Sequence, residues 1–342
     1  MTPGAPRPDA GPRRVIAIGA SAGGVDALQA LMRELPADLP AAICVVLHVS
    51  PTSASLLAPI LDRVTDLRVQ LAEHGMPLRA RNVYVAPADR HLLIGKRDLE
   101  LTAGPRENGV RPAVDPMFRS LARTHGRRGV AVVLSGALDD GSAGAVAVAA
   151  AGGTVVVQDP ADAVVPGMPE SAVRADSPRF VIPLAEMASV LARLAAEPED
   201  GDDGQEGDGP MATHDDPPDP RTLHRPDGPP SALSCPECRG PLWELTEGAL
   251  TRYRCRVGHA YSEETMVAEH ASGVEAALWT AIEVLEERAE LLRKVAARAR
   301  PEKPGAAGRL EEGARDALKR ATIIREVLVA PPAPSEDAVE VG

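Results

Sequence analysis

Continuous apolar runs alternate with helical stretches between Val15 and about Ala195, and this alternation constrains the fold more than any other feature. Unbroken Val/Ile-rich runs joined by crossover helices are typical of a parallel sheet covered on both faces. We therefore expect an α/β fold with a doubly wound, mostly parallel sheet. The predicted strands are 15–19, 41–49, 83–87, 129–136, 154–158 and 179–183, and the predicted helices are 24–34, 53–64, 115–125, 142–151 and 184–195.

The stretch HLLIGKRDLELTAG, which starts at His91, has a different pattern because its apolar and polar residues alternate. This alternation predicts a β-hairpin, which we expect to be appended to the sheet. Hydrophobic residues make up 44% of the chain and aromatic residues only 2%, so the core must consist mainly of Ala, Val, Leu and Ile. Cys44 lies in the middle of an apolar run and is expected to be a core thiol.

Composition changes sharply after the predicted sheet and divides the chain into four parts. Residues 13–195 form the predicted catalytic domain, and residues 197–232 form a predicted disordered linker rich in Asp, Gly and Pro. A cysteine-containing module, expected to resemble a zinc ribbon, covers 233–265, and a helical tail covers 266–330. In this tail Leu278, Ile282, Leu285, Ala289 and Leu292 repeat at helical spacing, and a second helix is predicted from Leu310 to Val329, which gives a helical hairpin.

The charge distribution argues against several classes of protein. The formal net charge is -12, and residues 197–230 carry eleven carboxylates against two arginines. No basic stripe is present in the sequence, so we do not expect nucleic-acid binding. The first fourteen residues lack the apolar centre of a signal peptide, and no apolar run reaches the length that spans a membrane. We therefore expect a cytoplasmic protein that is not embedded in a membrane.

A serine stands at the first strand-to-helix turn, in the sequence GASAGG. The segment Gly19–Gly23 matches the pattern G-x-S-x-G, in which small neighbours allow a sharp turn that exposes the serine hydroxyl. Active sites of open α/β sheets form beyond the carboxyl ends of the strands, where Ser21 is expected. A serine hydroxyl is a weak nucleophile, so the site also needs a base.

Two other predicted strand ends supply candidates for the base and its partner. His48 follows the second strand in VVLHVSP, and Asp140 follows the fourth in LSGALDDG. The ends of parallel strands meet at one edge, so Ser21, His48 and Asp140 are expected to converge there. Each residue alone has a structural alternative, since an Asp before a helix is usually an N-cap. Asp139 is an alternative to Asp140 because the two are adjacent.

A glycine-rich turn of this kind can also cradle the phosphates of a nucleotide. A dinucleotide site, however, favours an acidic residue at the end of the second strand, where this chain has His48. The turn also has Ser21 and Ala22 where closer glycine spacing would be expected. The sequence therefore favours serine chemistry over nucleotide binding.

The sequence over residues 13–195 resembles the catalytic domain of chemotaxis protein-glutamate methylesterases of the CheB type. The matching blocks are IGASAGG, VVLHVSP, NVYVAPADRHLLI, RPAVDPMFRSLA, VVLSGALDDGSAGA and VVPGMPESAV. The resemblance implies that Ser21 is the nucleophile, His48 the general base and Asp140 the carboxylate that orients the imidazole. The backbone amides of Ala22 and Ala137 are the candidate oxyanion donors.

This resemblance implies hydrolysis of γ-glutamyl methyl esters on a signalling protein such as a chemoreceptor, through an acyl-enzyme that releases methanol. Related enzymes also deamidate selected glutamines. Met168 and Pro169 are expected at the rim of the substrate groove, whereas Asp89 and His91 are expected to stabilise a loop. The alternative is a non-catalytic scaffold protein that keeps the fold and binds partners through its C-terminal parts.

The sequence departs from the family pattern in two ways. Ala22 stands where many relatives have threonine, and GALDDG replaces a more usual Met-Gly pair; these departures concern the local shape of the pocket and leave Ser21, His48 and Asp140 in place. Many family members also carry an N-terminal receiver domain. Because Val15 already begins the first predicted strand, we expect a stand-alone catalytic domain whose regulator the sequence does not name.

The C-terminal module contains four potential metal ligands, Cys235, Cys238, Cys255 and His259. They are spaced as C-x2-C and C-x3-H, which is typical of two metal-binding knuckles brought together by a short hairpin. Four protein ligands close the coordination shell, so we expect structural zinc and no cofactor for catalysis. The alternative, redox chemistry at a reduced CxxC, lacks the βαβ context that it requires.

Overall fold

The computed structural model describes residues 12–52, 56–175, 178–197, 225–247 and 250–329. Contacts divide the chain into two compact units, Met1–Met266 and Val267–Gly342. None of the helices within these described ranges is both long and apolar enough to cross a membrane. Most of the predicted linker, residues 198–224, lies outside the described residues.

A seven-stranded parallel sheet forms the centre of the first unit, with strand order β3-β4-β2-β1-β7-β8-β9. The predicted α/β, doubly wound fold is confirmed. The strands are β1 (Arg14–Ala20), β2 (Ala41–Leu47), β3 (Arg68–Leu71), β4 (Asn82–Val85), β7 (Gly129–Val133), β8 (Thr154–Gln158) and β9 (Phe180–Ile182). The helices are α1 (Gly24–Glu34), α2 (Leu57–Asp62), α3 (Val114–His125), α4 (Ser142–Ala150), α5 (Gly167–Arg174) and α6 (Leu184–Ala196).

Both faces of the sheet are buried by helices. Along β1, Ile16 and Ile18 pack into one apolar cluster with residues of α1, α2 and α6, whereas Val15 and Ala17 pack into a second cluster with residues of α3, α4 and α5. Alternate side chains of a strand point to opposite faces, so a strand that is apolar throughout must be covered on both. This double burial fixes the strand ends from which the candidate site is built.

The predicted hairpin forms, but it does not extend the sheet. Strands β5 (His91–Ile94) and β6 (Leu99–Thr102) make a separate two-stranded antiparallel sheet. The hairpin packs against α3, where the Ile94 amide donates to Ser120 Oγ at 2.8 Å. The predicted β-hairpin appendage is therefore confirmed, and it is attached through α3, which offers both an apolar surface and a hydroxyl acceptor.

Two elements of the sheet region were not predicted. Edge strand β3 has the sequence RVQL, whose residues are half-buried or exposed, so it lacks the continuous apolar signal of the inner strands. Helix α5 begins at Gly167 and contains Pro169, both of which lower helix propensity in a sequence interpretation. Proline is nevertheless tolerated in the first turn of a helix, where its missing N–H would have no partner inside the helix.

The cysteine-containing region forms a four-stranded antiparallel sheet within the first unit. Its strands are β10 (Pro230–Ser234), β11 (Pro241–Glu247), β12 (Leu250–Cys255) and β13 (Ala260–Ser262). We refer to residues 230–266 as the Cys/His module. Strand β10 begins inside the predicted linker, because Pro230 pairs with Trp243 of β11.

The C-terminal helices are α7 (Glu263–Ala299) and α8 (Pro304–Val329). Within the second unit they pack together through Ala289 of α7 and Ala314 and Ala317 of α8, which are buried. The predicted start of the second helix at Leu310 is six residues too late. Helix α8 begins at Pro304, and proline is favourable in the first helical turn because its backbone angle is already helical.

Candidate active site and metal centre

Ser21 and His48 leave the parallel sheet side by side. Ala20 is in register with Leu47, so the residues that follow these two lie next to each other at the carboxyl edge. The His48 amide donates to the Ala20 carbonyl at 3.2 Å, and the Ser21 amide donates to the Ser135 carbonyl at 3.0 Å. Ser21 is therefore anchored by its backbone between the segments that follow β2 and β7.

The turn around Ser21 requires small residues. Gly23 adopts the left-handed conformation with a φ of 75° and caps α1. Ser135 Oγ donates to the Ala22 carbonyl at 2.8 Å, which ties the turn to the segment after β7. A Cβ atom at Gly136 would lie 2.1 Å from Met168 Sδ and 2.9 Å from Ser21 Cβ, so glycine is needed there.

His48 and Asp140 form a direct hydrogen bond. His48 Nε2 lies 2.7 Å from Asp140 Oδ2, although the two residues are 92 positions apart. The Nε2 nitrogen carries the proton in this contact because an ionised carboxylate only accepts. In a neutral imidazole of this tautomer, Nδ1 is the acceptor nitrogen, which is the atom that a general base uses.

Asp140 is buried and receives several further hydrogen bonds. The Val114 amide donates to Oδ2 at 2.6 Å, and the Asp115 amide donates to Oδ1 at 3.1 Å. Burial by itself would raise the pKa of Asp140, but the hydrogen bond and charge of His48, together with these amides, lower it below its ordinary value. The carboxylate is therefore ionised at neutral pH, at the N-terminus of α3, where the helix dipole favours a negative charge.

Asp115, which belongs to α3, binds backbone amides at the start of the neighbouring helix α4. Its Oδ1 accepts from the Gly141 amide at 3.1 Å and from the Gly144 amide at 2.7 Å, at the start of α4. Asp140, which directly precedes α4, thus binds the N-terminus of α3, and Asp115 of α3 binds the N-terminus of α4. The simple N-cap alternative for Asp140 does not hold, because its carboxylate bonds to the other helix and to His48.

Asp139 has different partners from Asp140. Its Oδ1 accepts from Ser262 Oγ at 2.7 Å and from Thr265 Oγ1 at 3.0 Å. Burial raises the pKa of Asp139, and the two hydroxyl donors oppose this change. Of the two adjacent carboxylates, Asp140 is the one that contacts the imidazole.

The remaining predicted site residues divide between surface and interior. Ala22 and Ala137 are exposed, and within the described residues neither backbone amide donates to a protein acceptor. Met168 and Pro169 are buried in α5, and Met168 Sδ supports Gly136. A position at the substrate rim stays a prediction for these two residues.

His91 and Asp89 make contacts that support loops. His91 Nε2 donates to the Pro105 carbonyl at 2.9 Å, and its Nδ1 accepts from the Ala113 amide at 3.2 Å. Asp89 pairs with Arg111 at 2.6 Å. Cys44 is completely buried in β2, and burial raises the pKa of its thiol far above the ordinary range.

A cluster of buried charges next to Asp140 was missed in the sequence. We define the charge cluster as Glu107, Asp115, Arg119 and Arg252. Glu107 contacts Arg119 at 2.5 Å and Arg252 at 3.1 Å, and Arg252 also lies 3.3 Å from Asp115. Burial would raise the pKa of Glu107, but the two guanidinium groups hold it well below its usual range. No short-range pattern could reveal the cluster, since Arg252 is 145 residues from Glu107.

Asn108 links the charge cluster to Asp140. Its Nδ2 donates to Asp115 Oδ2 at 3.2 Å and to Asp140 Oδ1 at 3.1 Å. Asn108 has a φ of 51°, a left-handed conformation that asparagine tolerates better than most other residues. Asn108 is a functional candidate that the sequence does not mark, because a single asparagine beside a glycine indicates only a turn.

The four predicted metal ligands come together in the Cys/His module. The ligand atoms of Cys235, Cys238, Cys255 and His259 all lie within 4.8 Å of one another. Cys238 Sγ and Cys255 Sγ are 3.6 Å apart, and His259 Nδ1 is 3.4 Å from Cys255 Sγ and 3.6 Å from Cys235 Sγ. Tetrahedral coordination at about 2.3 Å for sulfur and about 2.0 Å for nitrogen gives separations of this size. The cluster can therefore hold a metal ion.

The second nitrogen of the His259 ring has its own partner. His259 Nε2 lies 3.2 Å from Glu237 Oε2. A carboxylate on the far nitrogen fixes the ring orientation and the tautomer of a metal-binding histidine. This arrangement leaves Nδ1 directed toward the three sulfur atoms.

Comparison with known proteins shows that the part of the chain containing the parallel sheet is similar to one enzyme family. Residues 16–191 match the family model described as CheB methylesterase. The crystal structure of the Thermotoga maritima CheB methylesterase catalytic domain superposes with a TM-score of 0.52 and 34% sequence identity, covering 54% of this chain and 99% of that chain.

Curated proteins with methylesterase names are also similar to this chain in sequence. A protein-glutamate methylesterase/protein-glutamine glutaminase 2 from Methanosarcina mazei is 38% identical over 190 residues, which cover 53% of this chain and 52% of the relative. One of the same name from Anaeromyxobacter dehalogenans is 41% identical over 193 residues, which cover 55% and 57%. The chain thus spans about half the length of the curated relatives it matches.

Proposed function

The chain belongs to the CheB methylesterase family, and we propose on this basis that it is a serine hydrolase that demethylates glutamate side chains of a signalling protein. The residues proposed for catalysis are Ser21, His48 and Asp140, in a catalytic domain of residues 13–195. The observation that carries the proposal is the hydrogen bond of 2.7 Å between His48 and Asp140 at the sheet edge that also bears Ser21.

In the first half of the proposed reaction, Ser21 Oγ attacks the carbonyl carbon of a γ-glutamyl methyl ester. His48 Nδ1 accepts the serine proton, and Asp140 stabilises the imidazolium that results. The tetrahedral intermediate collapses, and His48 returns the proton to the leaving methoxide. Methanol departs, and the glutamyl group remains esterified to Ser21.

In the second half, a water molecule replaces methanol. His48 accepts a proton from the water as it attacks the acyl carbon, and then protonates Ser21 Oγ as the ester bond breaks. The product is a free glutamate side chain. The same steps with a glutamine amide release ammonia, so deamidation requires no additional residue.

The oxyanion of the tetrahedral intermediate is assigned to the backbone amides of Ala22 and Ala137. Two observations support this assignment: both residues are exposed at the carboxyl edge, and Ala22 belongs to the turn that begins α1. Removal of one such donor typically costs about 2.7 to 4 kcal/mol of transition-state stabilisation. Since the donors are backbone groups, replacement of the Ala22 or Ala137 side chain leaves them in place.

We propose a helical, chemoreceptor-like protein with methylated glutamates as the substrate. The names of the curated relatives, which combine methylesterase and glutaminase, support this class. A cytoplasmic location is proposed from cysteine usage, because Cys44 is a free core thiol and the other three cysteines belong to the metal-ligand cluster.

The experiment that tests the activity compares Ser21→Ala with the unchanged chain in methanol release from methylated chemoreceptor. We expect the variant to lose at least about 1000-fold in rate, because the nucleophile is gone and only binding and the oxyanion site remain. Ser189→Ala is the matched control, since Ser189 lies on the exposed side of α6 and, among the residues that the structure describes, its hydroxyl bonds only to the Glu186 carbonyl.

Equal methanol release by Ser21→Ala and the unchanged chain would refute Ser21 as the nucleophile. No release from any methylated receptor, with normal folding, would favour the non-catalytic scaffold instead. Labelling by a fluorophosphonate provides a second readout: we expect a label on Ser21 that disappears in Ser21→Ala and remains in Ser189→Ala.

We further propose that Cys235, Cys238, Cys255 and His259 hold a structural zinc ion. Three thiolates and one imidazole suit zinc, and four protein ligands leave no open position for a substrate. Structural zinc in small modules supplies about 10 to 16 kcal/mol of apparent binding free energy, which compensates for a small apolar core. Metal analysis of the purified full chain is expected to give one zinc per chain. Less than half an equivalent, or no loss of zinc in Cys255→Ser, would refute the proposal.

A further inference from the structure

The Cys/His module is interlocked with the loop that precedes α3. The Asn108 amide donates to the Ala260 carbonyl at 2.7 Å, and the Ala260 amide donates to the Arg106 carbonyl at 3.4 Å. The Ser262 amide donates to Asn108 Oδ1 at 3.1 Å. Strand β13 of the module thus fixes both the backbone and the side-chain oxygen of Asn108.

Once its oxygen is held by Ser262, the Asn108 side chain can point its amide group in only one direction. That group donates to Asp115 at 3.2 Å and to Asp140 at 3.1 Å. A continuous series of hydrogen bonds therefore runs from Ser262 through Asn108 and Asp140 to His48. The module is therefore linked to His48, the proposed general base, through the carboxylate of Asp140.

Charged and hydroxyl groups of the module also contact the carboxylates around Asp140. Glu107, Asp115, Asp139 and Asp140 are carboxylates of the sheet domain with little exposure, and Arg252 of the module lies among them with 3% of its side chain exposed. A buried carboxylate is costly unless a cation or hydrogen-bond donors compensate it. Arg252 contacts both Glu107 and Asp115, and Ser262 and Thr265 donate to Asp139.

The charge of Arg252 bears directly on Asp115. Burial raises the pKa of Asp115 to about 7, and the Arg252 guanidinium opposes this rise. Asp115 accepts from Asn108 and from the amides at the start of α4, and its Oδ2 lies 3.3 Å from Arg252, so loss of Arg252 would remove a partner of this buried carboxylate and weaken the contacts that hold Asn108 and Asp140 in place.

We propose that the Cys/His module supports the active site, with Arg252 acting as a positioning residue for Asp140 through Asp115 and Asn108. This inference rests on the proposed function, because it assigns a purpose to residues around a proposed catalytic carboxylate. It makes activity dependent on metal: a module that loses its fold with its metal also releases Asn108. The module is then a part of the esterase and not an independent appendage.

The first test measures kcat and KM for methanol release by Arg252→Ala in the full chain. We expect kcat to fall about 10- to 100-fold, because small displacements of a catalytic group have effects of this size. We expect KM to change less than about threefold, since only 3% of the Arg252 side chain is exposed. Arg252→Lys keeps the positive charge but not the planar fork, and is expected to recover part of the loss.

The matched control is Arg256→Ala, which removes an arginine from the same module. Arg256 is exposed and stacks on the Trp243 ring at 5.3 Å, outside the charge cluster. We expect Arg256→Ala to keep kcat. An equal fall in kcat for Arg252→Ala and Arg256→Ala would overturn the proposal, because it would show general destabilisation of the module.

A second variant keeps the test decisive if Arg252→Ala does not fold. Asn108→Asp preserves the side-chain shape but replaces the two N–H donors with an acceptor that faces Asp115 and Asp140. We expect it to lower kcat at least about 10-fold relative to the unchanged chain, with an unchanged circular dichroism spectrum. Wild-type kcat in Asn108→Asp would overturn the proposal.

A spectroscopic readout separates this proposal from the proposed function. The His48 Nε2 proton in its bond to Asp140 should give a downfield proton NMR signal, assigned by its loss in His48→Ala. We expect the signal to shift or broaden in Arg252→Ala and in chain stripped of metal, and to return when Zn2+ alone is added back. This result would support the positioning role even if no methanol were released. An unaltered signal in both samples would overturn the role, even if the esterase were active.

Discussion

Ser21 and His48 are held by the parallel sheet, whereas Asp140 is held by loops, helix ends and the Cys/His module. The strands beneath the first two are buried and apolar, and their register alone sets Ala20 beside Leu47. The surroundings of Asp140 are equally buried but strongly charged, with Glu107 and Arg252 in contact at 3.1 Å. His48 therefore joins a half of the site that apolar packing positions to a half that hydrogen bonds and ion pairs position.

The apolar half around Ser21 and His48 and the charged half around Asp140 depend on different interactions. Apolar packing is non-directional, so a lost apolar contact in the sheet lowers stability without misdirecting a particular polar group. Hydrogen bonds and ion pairs depend on distance and angle, so the charged half has fewer acceptable substitutions. We expect changes in the charged half to lower activity as well as stability, and changes in the apolar half to lower stability alone.

The largest predicted effect follows from removing the charge of Asp140. Asp140→Asn can present its N–H2 group to His48 and so stabilise the wrong tautomer, which costs about 10000-fold in kcat in the well-studied serine triad. Steady-state methanol release measures this change. The matched control is Asp139→Asn, which alters the adjacent carboxylate that contacts Ser262 and Thr265. A larger loss of kcat for Asp139→Asn than for Asp140→Asn would contradict the assignment of His48's partner.

The next effect concerns the charge cluster. Glu107→Gln leaves Arg119 and Arg252 buried with one fewer carboxylate, and breaking a buried ion pair typically costs about 3 to 5 kcal/mol of folding stability. Because Glu107 precedes Asn108, we also expect a measurable fall in kcat. Urea unfolding and methanol release, measured on the same preparation, give both quantities.

Leu191→Ala is the comparison from the apolar half. Leu191 is fully buried in α6, and truncation of a buried leucine costs about 2 to 5 kcal/mol. We expect kcat within about twofold of wild type at a temperature where the variant is folded. If Glu107→Gln and Leu191→Ala lost stability equally and both kept kcat, the contrast between the two halves would be broken.

A smaller loss of folding stability is expected at acidic pH, and it arises from His125 in the sheet domain. Burial, with a minor effect of Arg128, lowers the pKa of His125 to about 4. In the unfolded chain the pKa of a histidine is about 6.5, and above that pH His125 does not make the free energy of unfolding depend on pH. As pH falls from there toward 4, the unfolded chain takes up a proton that the folded chain does not, so stability is lost in this window. Below about pH 4 the loss is complete.

The measurement is urea unfolding of wild type and His125→Gln at about pH 7.5 and about pH 4.5. We expect wild type to lose about 2 kcal/mol more than the variant between these two conditions, because glutamine does not titrate. Equal losses would show that His125 takes up its proton in the folded state as readily as in the unfolded state.

The smallest predicted effect belongs to an exposed ion pair. Arg325 and Glu286 join α8 to α7 at 2.7 Å, with 45% and 46% of their side chains exposed. Solvent screening limits such pairs to at most about 1 kcal/mol, so Arg325→Ala should lower the free energy of unfolding of the hairpin by less than that. A loss as large as that of Glu107→Gln would mean that burial is not what distinguishes the charge cluster.

The sequence predicted the apolar half well because its signals are local. Continuous Val/Ile runs gave the buried strands, and the strand ends led to Ser21, His48 and Asp140. Strand β3 was missed because an edge strand lacks that continuous signal. The start of α8 was predicted late because proline was interpreted as a break, although it is favourable in a first turn.

The charged half could not be predicted in the same way. The ligand spacing in the module is a local pattern, and it correctly brought the four potential ligands together. Arg252, Asn108 and Glu107 meet only through the tertiary fold, and no periodicity or motif marks them. The charge cluster joins residues 107–119 to Arg252, which lies more than 130 positions later in the chain, so its formation depends on tertiary contacts that no local pattern encodes.

The backbone pairing of Asn108 with Ala260 has a consequence for biosynthesis. A ribosome translates Ser21, His48 and Asp140 well before Ser262, so the nascent sheet domain emerges with Asp139 and Asn108 still lacking their donors from the module. On the proposed role of the module, catalytic competence arrives only when the last strand of the module has left the exit tunnel and the proposed metal has been bound. A truncated translation product that ends before this strand would then carry all three proposed catalytic residues and remain a poor enzyme.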